Sequence, residues 1–174
     1  MGKSRANDDD QNEFLEPHEW ESWNALLMLN RLVLHKLDTE LQRAHRLAVT
    51  EFDVLITLFN APRRRLGMSA LADRAMLSPA GMSHLVTRLE RDGLVRREVD
   101  PSDGRKWFTV LTDGGDRALL AARRTHNDVL RETLVAATSP AERRTLQRIW
   151  LRMSQQEAGS APQEHHDDAA GAAT

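Results

Sequence analysis

The 174 residues contain no cysteine and no tyrosine, and aromatic side chains make up only 5% of the chain. Without cysteine there are no disulfides, no thiolate zinc sites and no cysteine redox sensing. No apolar run approaches the roughly 18 residues that a membrane span needs. The opening Met1-Gly2-Lys3-Ser4-Arg5-Ala6-Asn7 has no signal-peptide apolar stretch. These absences lead us to expect a cytoplasmic protein. A nucleophile–base constellation, a paired-acid motif, a phosphate loop and a Cys/His cluster are all missing. The expectation is therefore no enzyme, no cofactor and no metal. The acidic and histidine-bearing Glu164-His165-His166-Asp167-Asp168 has ligand-type residues but no framework to hold them.

Charge of one sign is also lacking overall, with a net −2, but the distribution is uneven. Arg63 to Lys106 holds ten basic residues against six acidic ones, and the acids gather instead in Asp8-Asp9-Asp10 and the C-terminal tail. Local sign governs how a protein meets phosphates. The chain is long enough for one domain with its own core. Residues 1–15 and 157–174 are polar and are expected to be disordered tails. The domain between them, 16–156, is expected to be mainly α with a small β-hairpin. Helices are expected over about 17–44 and 112–156, around a middle section of about 50–111.

The first helix is apolar over more than one face (Trp20, Trp23, Leu26, Leu27, Leu29, Leu32, Val33, Leu34, Leu37, Leu41), which calls for a second packing partner, most simply another subunit. Thr50 is expected to cap a second helix running to Asn60, with Phe52, Leu55, Ile56 and Phe59 inward. Leu66-Gly67-Met68 reads as a short extended piece, and Ser69 as the cap of a small helix. Met76-Leu77 forms the turn into a helix from Ser78 to Asp92, which opens with a cap and a first-turn proline and ends at Gly93. Strands are expected over Leu94–Val99 and Lys106–Leu111, joined by the turn formers Asp100 to Gly104. Thr112 caps a long helix to about Ala137, whose first turn Gly114-Gly115 weakens. Ser139-Pro140-Ala141-Glu142 is a capping box opening the last helix.

On a helical wheel the 78–92 helix puts Met82, Leu85, Val86 and Leu89 on one side. Ala80, His84, Thr87 and Arg91 lie opposite, flanked by Ser83 and Arg88. A helix laid against base edges needs such a face. Ser78, Ser83, His84, Thr87, Arg88 and Arg91 are the candidate DNA-contacting residues of this helix. Arg105 and Lys106 at the hairpin tip suit a narrow minor groove, and Asp103 stands where it can orient the Arg105 guanidinium. Taken alone, the wheel also describes an ordinary solvated helix. The order helix, turn, helix, basic hairpin favours DNA reading.

Asp103-x-Arg105 followed by Leu111-Thr112, with Ser83, Arg88-Leu89-Glu90 and Gly93-Leu94-Val95 before it, resembles the MarR family of winged helix-turn-helix regulators over about residues 18–156. The resemblance implies a homodimer built from the first and last two helices, a palindromic double-stranded operator, repression, and release by a small aromatic or phenolic ligand. The family's pocket lies between the dimer helices and the reading head, which makes Trp20, Trp23, Asn30 and Asp53 ligand candidates. Glu51-Phe52-Asp53-Val54-Leu55 also resembles the urate-responsive branch, in which Arg97 would match a second arginine. Where that branch carries an arginine in the recognition helix, this chain has His84 and Leu85, so a related anionic aromatic is the expected ligand. The competing class is a winged-helix protein-interaction module without specific DNA binding, against which the basic 63–106 span speaks.

Overall fold

A computed structural model describes residues 15–100 and 102–160, with side chains through Gln156. The elements are α1 (Pro17–His45), α2 (Val49–Asn60), β1 (Arg65–Gly67), α3 (Met68–Arg74), α4 (Pro79–Arg91), β2 (Val95–Asp100), β3 (Asp103–Leu111), α5 (Asp113–Leu130) and α6 (Pro140–Ser160). The described chain falls into two compact units, divided between Leu134 and Val135. The architecture is helical with one small antiparallel sheet of order β1-β3-β2. No helix among the described residues is long and apolar enough to cross a membrane. The expected tails lie outside the described residues, except that the helical backbone of α6 continues through Ser160.

The core of the first unit is where the period-3.6 stripes of α2, α4 and α5 converge. Phe52, Leu55 and Leu58 of α2, Met82 and Leu89 of α4 and Leu119 of α5 are essentially without solvent contact. Because α2 also buries Val54, it is enclosed on more sides than the expected stripe. α1 behaves differently along its length. Its C-terminal half buries Leu37 and Leu41, whereas Trp20, Trp23, Leu26, Leu29 and Leu32 stand about half exposed.

Two helix starts differ from expectation. Thr50 does not cap α2. The helix begins two residues earlier, at Val49, and the Glu51 carboxylate accepts the Ala48 N–H at 2.8 Å while Asp38 Oδ1 accepts the Val49 N–H at 2.9 Å. A carboxylate from the first turn and another from α1 thus take the orphan donors that a hydroxyl cap serves elsewhere. Nor does Ser69 cap α3, which starts at Met68 directly off β1 with Gly67 as the cap residue. The long helix expected from Thr112 is α-helical to Leu130 and then widens into a π turn at Arg131–Val135. At the head of α6 the Ser139 N–H donates to Glu142 Oε2 at 2.7 Å and the Glu142 N–H to Ser139 Oγ at 3.3 Å, the reciprocal pair of a capping box.

Gly115 has a stronger reason to be glycine than the weakened first turn suggested. A Cβ there would lie 2.1 Å from the Leu94 carbonyl oxygen and 2.7 Å from Leu111 Cδ1. The first turn of α5 therefore packs directly on the backbone entering β2, and Thr112 completes the joint by donating its hydroxyl to the Gly93 carbonyl at 2.7 Å. Gly115→Ala should cost roughly 3 kcal/mol or more of unfolding free energy, because backbone rather than a side-chain tip must move. Gly67→Ala, where a Cβ meets nothing within 4 Å, should stay within roughly 0.5 kcal/mol of wild type. Denaturant unfolding of the two variants checks both.

Candidate nucleic-acid interface

α4 is held at both ends. Ser78 Oγ accepts the Gly81 N–H at 3.1 Å and Pro79 occupies the first turn. At the other end Gly93, at φ +71°, closes a Schellman motif in which its N–H reaches the Glu90 carbonyl at 3.0 Å and the Leu94 N–H reaches the Leu89 carbonyl at 2.9 Å. The α3–α4 turn repeats that motif with a methionine in the glycine position. Met76 has φ +50° and its side chain is 90% exposed, while the Leu77 N–H bonds the Ala72 carbonyl at 3.0 Å. Met82, Leu85, Val86 and Leu89 are buried, and Ser83, His84, Thr87, Arg88 and Arg91 lie at the surface, as the wheel arranged them.

Exposure does not make all of these side chains available. Arg88 Nε donates to Glu51 Oε1 at 2.6 Å, and the Glu51 side chain is only 8% exposed. Glu51 therefore joins the first turn of α2 to α4 through one buried carboxylate, and the expected free charge at Arg88 is instead largely compensated. Arg91 pairs with Asp92 at 3.0 Å. Thr87 donates its hydroxyl to the Ser83 carbonyl at 2.8 Å and accepts from Arg97 Nη2 at 2.9 Å. His84 has no such engagement among the described contacts.

Alternation along β3 puts Arg105, Trp107 and Thr109 on one face. Their neighbours on β2, Val99 opposite Trp107 and Arg97 opposite Thr109, share it. That face looks toward α4, since Arg97 Nη1 donates to Glu90 Oε2 at 2.9 Å and Nη2 reaches both Thr87 and the Ser83 carbonyl. On the other face the Arg65 guanidinium lies 4.4 Å from the centre of the Phe108 ring. At the turn, Asp100 Oδ1 accepts both the N–H and the hydroxyl of Ser102, which holds its carboxyl below the usual range. Asp103 does not orient the Arg105 guanidinium. Its Oδ1 accepts the Arg105 backbone N–H at 3.1 Å and its Oδ2 lies 3.5 Å from Lys106 Nζ. The aspartate fixes the turn, and the Arg105 side chain projects without an ion-pair partner among the described residues.

No described contact joins the five ligand candidates to one another. Trp20, Trp23 and Asn30 are exposed on α1. Asp53 lies at the surface of α2 near His126 of α5. Partial burial raises its carboxyl above the usual range, against the pull of His126. Phe52 stacks on the same imidazole at 4.5 Å. Arg97 is occupied by Glu90, Thr87 and Ser83 and makes no described contact with the other four. Its place is between hairpin and helix, so it is a positioning residue of the reading head. Sequence reasoning passed over Glu51, Arg97 in this second role, and Trp107. The last was legible as a large apolar residue two positions beyond a basic tip.

A family model described as the MarR family matches residues 47–107. Among solved structures, Sco3205, a MarR family transcriptional regulator from Streptomyces coelicolor in complex with DNA, is 34% identical with a TM-score of 0.78, over 89% of this chain and 95% of that one. The chain belongs to the MarR family. AbsC, a MarR-family regulator from the same organism, is 30% identical with a TM-score of 0.78, over 85% of this chain and 99% of that one. The transcriptional regulator HosA of Escherichia coli O111:H- is 43% identical over 53 residues, which are 30% of this chain and 39% of HosA. This MarR-family chain thus spans well under two thirds of that curated relative, and its match to the regulator YkoM of Bacillus subtilis covers 49% of YkoM. The family consists of transcriptional regulators, and the protein is one of them rather than an enzyme.

The buried Glu51 carboxylate serves two donors, so its loss leaves Arg88 unpaired and the Ala48 N–H without its acceptor. Glu51→Ala should lower stability by roughly 2–3 kcal/mol, the scale of losing charge-assisted hydrogen bonds at a buried acceptor. Arg88→Ala should also destabilise. In a double-mutant cycle by denaturant unfolding, the two losses should not add.

Proposed function

We propose that this MarR-family regulator acts as a homodimer that binds a palindromic double-stranded operator sequence-specifically, represses its own and neighbouring genes, and is released by a small aromatic or phenolic ligand. The observation that carries the reading is a single surface. The polar face of α4 and the Arg105 face of the hairpin lie side by side, locked by Arg97. His84, Ser83 and Thr87 face the major groove, with Ser78 at the helix start. Arg105 enters the adjacent minor groove with Lys106 on the phosphates beside it. Arg88 and Arg91 contribute to the field while held by Glu51 and Asp92. The 34% identical relative solved with DNA supports the same partner for this chain.

The second copy covers the exposed apolar stripe of α1. Trp20, Trp23, Leu26, Leu29 and Leu32 are each 48–56% exposed, an arrangement that costs free energy in water and is relieved by pairing. α6 carries an exposed apolar set of its own, with Trp150 at 64%. Two-fold symmetry then spaces two reading heads about one helical turn apart. For the ligand, Asp53, Trp20, Trp23 and Asn30 remain the proposed set. Aromatic acids that leave a bound duplex undisturbed would count against this part.

Binding to duplexes selected from a random pool tests the whole reading. Arg105→Ala should weaken binding about tenfold and reduce the salt slope by about one, and His84→Ala should alter the preferred sequence. Leu29→Glu should sediment as a monomer and lose the specific complex while keeping its helical content. A protein that prefers no duplex, or a monomer that binds as well as wild type, contradicts the proposal.

A further inference from the structure

Trp107 is 46% exposed on β3, beside the 45% exposed Val99 on β2. Its indole N–H has no hydrogen-bond partner among the described residues. With Met68, Ser83, Thr87 and Arg97 it lines a cleft of about 460 Å³ between hairpin and recognition helix. The only cation in that lining, Arg97, is neutralised by Glu90 at 2.9 Å. The cleft thus carries no net charge, with Met68 and Trp107 as its apolar walls and Ser83, Thr87 and the paired Arg97 as its polar ones. A body that reaches into both grooves of a duplex straddles the one sugar–phosphate strand between them. In this chain Trp107 shares its cleft with Ser83 and Thr87 of α4 and stands on the same β3 face as Arg105 at the tip.

We propose that Trp107 is a further DNA contact. Its indole packs on a deoxyribose of the straddled strand, and its Nε1–H donates to a phosphate of that strand. This rests on the DNA-binding reading above. Tryptophan suits the place because it pairs a large apolar face with one donor, the combination that a sugar flanked by phosphate presents. The contact touches no base edge, so it fixes register without reading sequence. Being neutral, it releases no counterion, which separates it from every Arg or Lys contact.

The full-length protein is tested by salt-dependent titration on two probes, a duplex selected from a random pool by wild type and a duplex of unrelated sequence. Trp107→Ala should weaken binding to both by about tenfold, the scale of a tryptophan anchor, and leave the salt slope unchanged. Trp107→Phe should recover most of the apolar contact. The tryptophan emission change on adding the selected duplex should be lost in Trp107→Phe. If Trp107→Ala binds as wild type while Arg105→Ala is weakened, this contact is wrong and the DNA reading survives. If Trp107→Ala flattens the salt slope as Arg105→Ala does, the residue acts by placing the tip, and the contact is again wrong. If neither substitution changes binding, the DNA reading itself fails.

Discussion

The reading head depends on one cation, Arg97. A helix that enters one groove and a hairpin that enters the next work together only if their spacing is fixed to within the width of a strand. α4 runs through Gly93 and Leu94 into β2 and shares the buried core with Val95 and Leu111, but toward the hairpin tip the two meet through side chains. Arg97 closes the gap. Its guanidinium bonds Glu90, the Thr87 hydroxyl and the Ser83 carbonyl, and its backbone N–H donates to Glu90 Oε1 at 3.0 Å. One side chain therefore grips α4 along two turns. Its planar fork presents five donors in a fixed geometry, whereas a lysine ammonium presents three on a compact, freely rotating head.

A buried carboxylate does for the back of α4 what Arg97 does for the front. Glu51 binds Arg88 and caps α2, so α4 is tied to the core helix as well as to the hairpin. Four arginines expected at the DNA or ligand site thus divide into two groups. Arg88, Arg91 and Arg97 are paired with acids and shape the head. Arg105 has no acid partner among the described residues, and it stands where charge can be delivered to a groove. Counting charges along the sequence gave the sign of this region correctly but not this division of labour.

What was legible and what was not follows from the range of the interactions. The buried side of α4, the glycine that ends it, the capping box at Ser139 and the order of helices and strands are local or periodic, and a sequence carries them directly. The cap of α2 was misread because its donors are served by Glu51 and, from eleven residues away, Asp38. The cap of α3 was misread because β1 runs straight into the helix. Arg97 was placed with a ligand pocket because a family pattern matched its type, whereas its partners lie seven to fourteen residues earlier, on another element. Asp103 was read as orienting the arginine side chain when it bonds the arginine backbone. The packing at Gly115 arises between residues twenty-one apart and leaves no trace in local propensity.

The apolar stripe of α1 from Trp20 to Leu32 stands about half exposed in one chain. On the homodimer proposed above, a head with one helix and one hairpin would read half a site, and covering the stripe would join two such heads in fixed register. Hydroxyl-radical footprinting of the full-length protein on a selected duplex tests that claim most directly. The account predicts two symmetry-related patches of protection about one helical turn apart, each flanked by a protected minor groove. A single unpaired patch, or protection of the major-groove strands with the flanking minor grooves open, would contradict it.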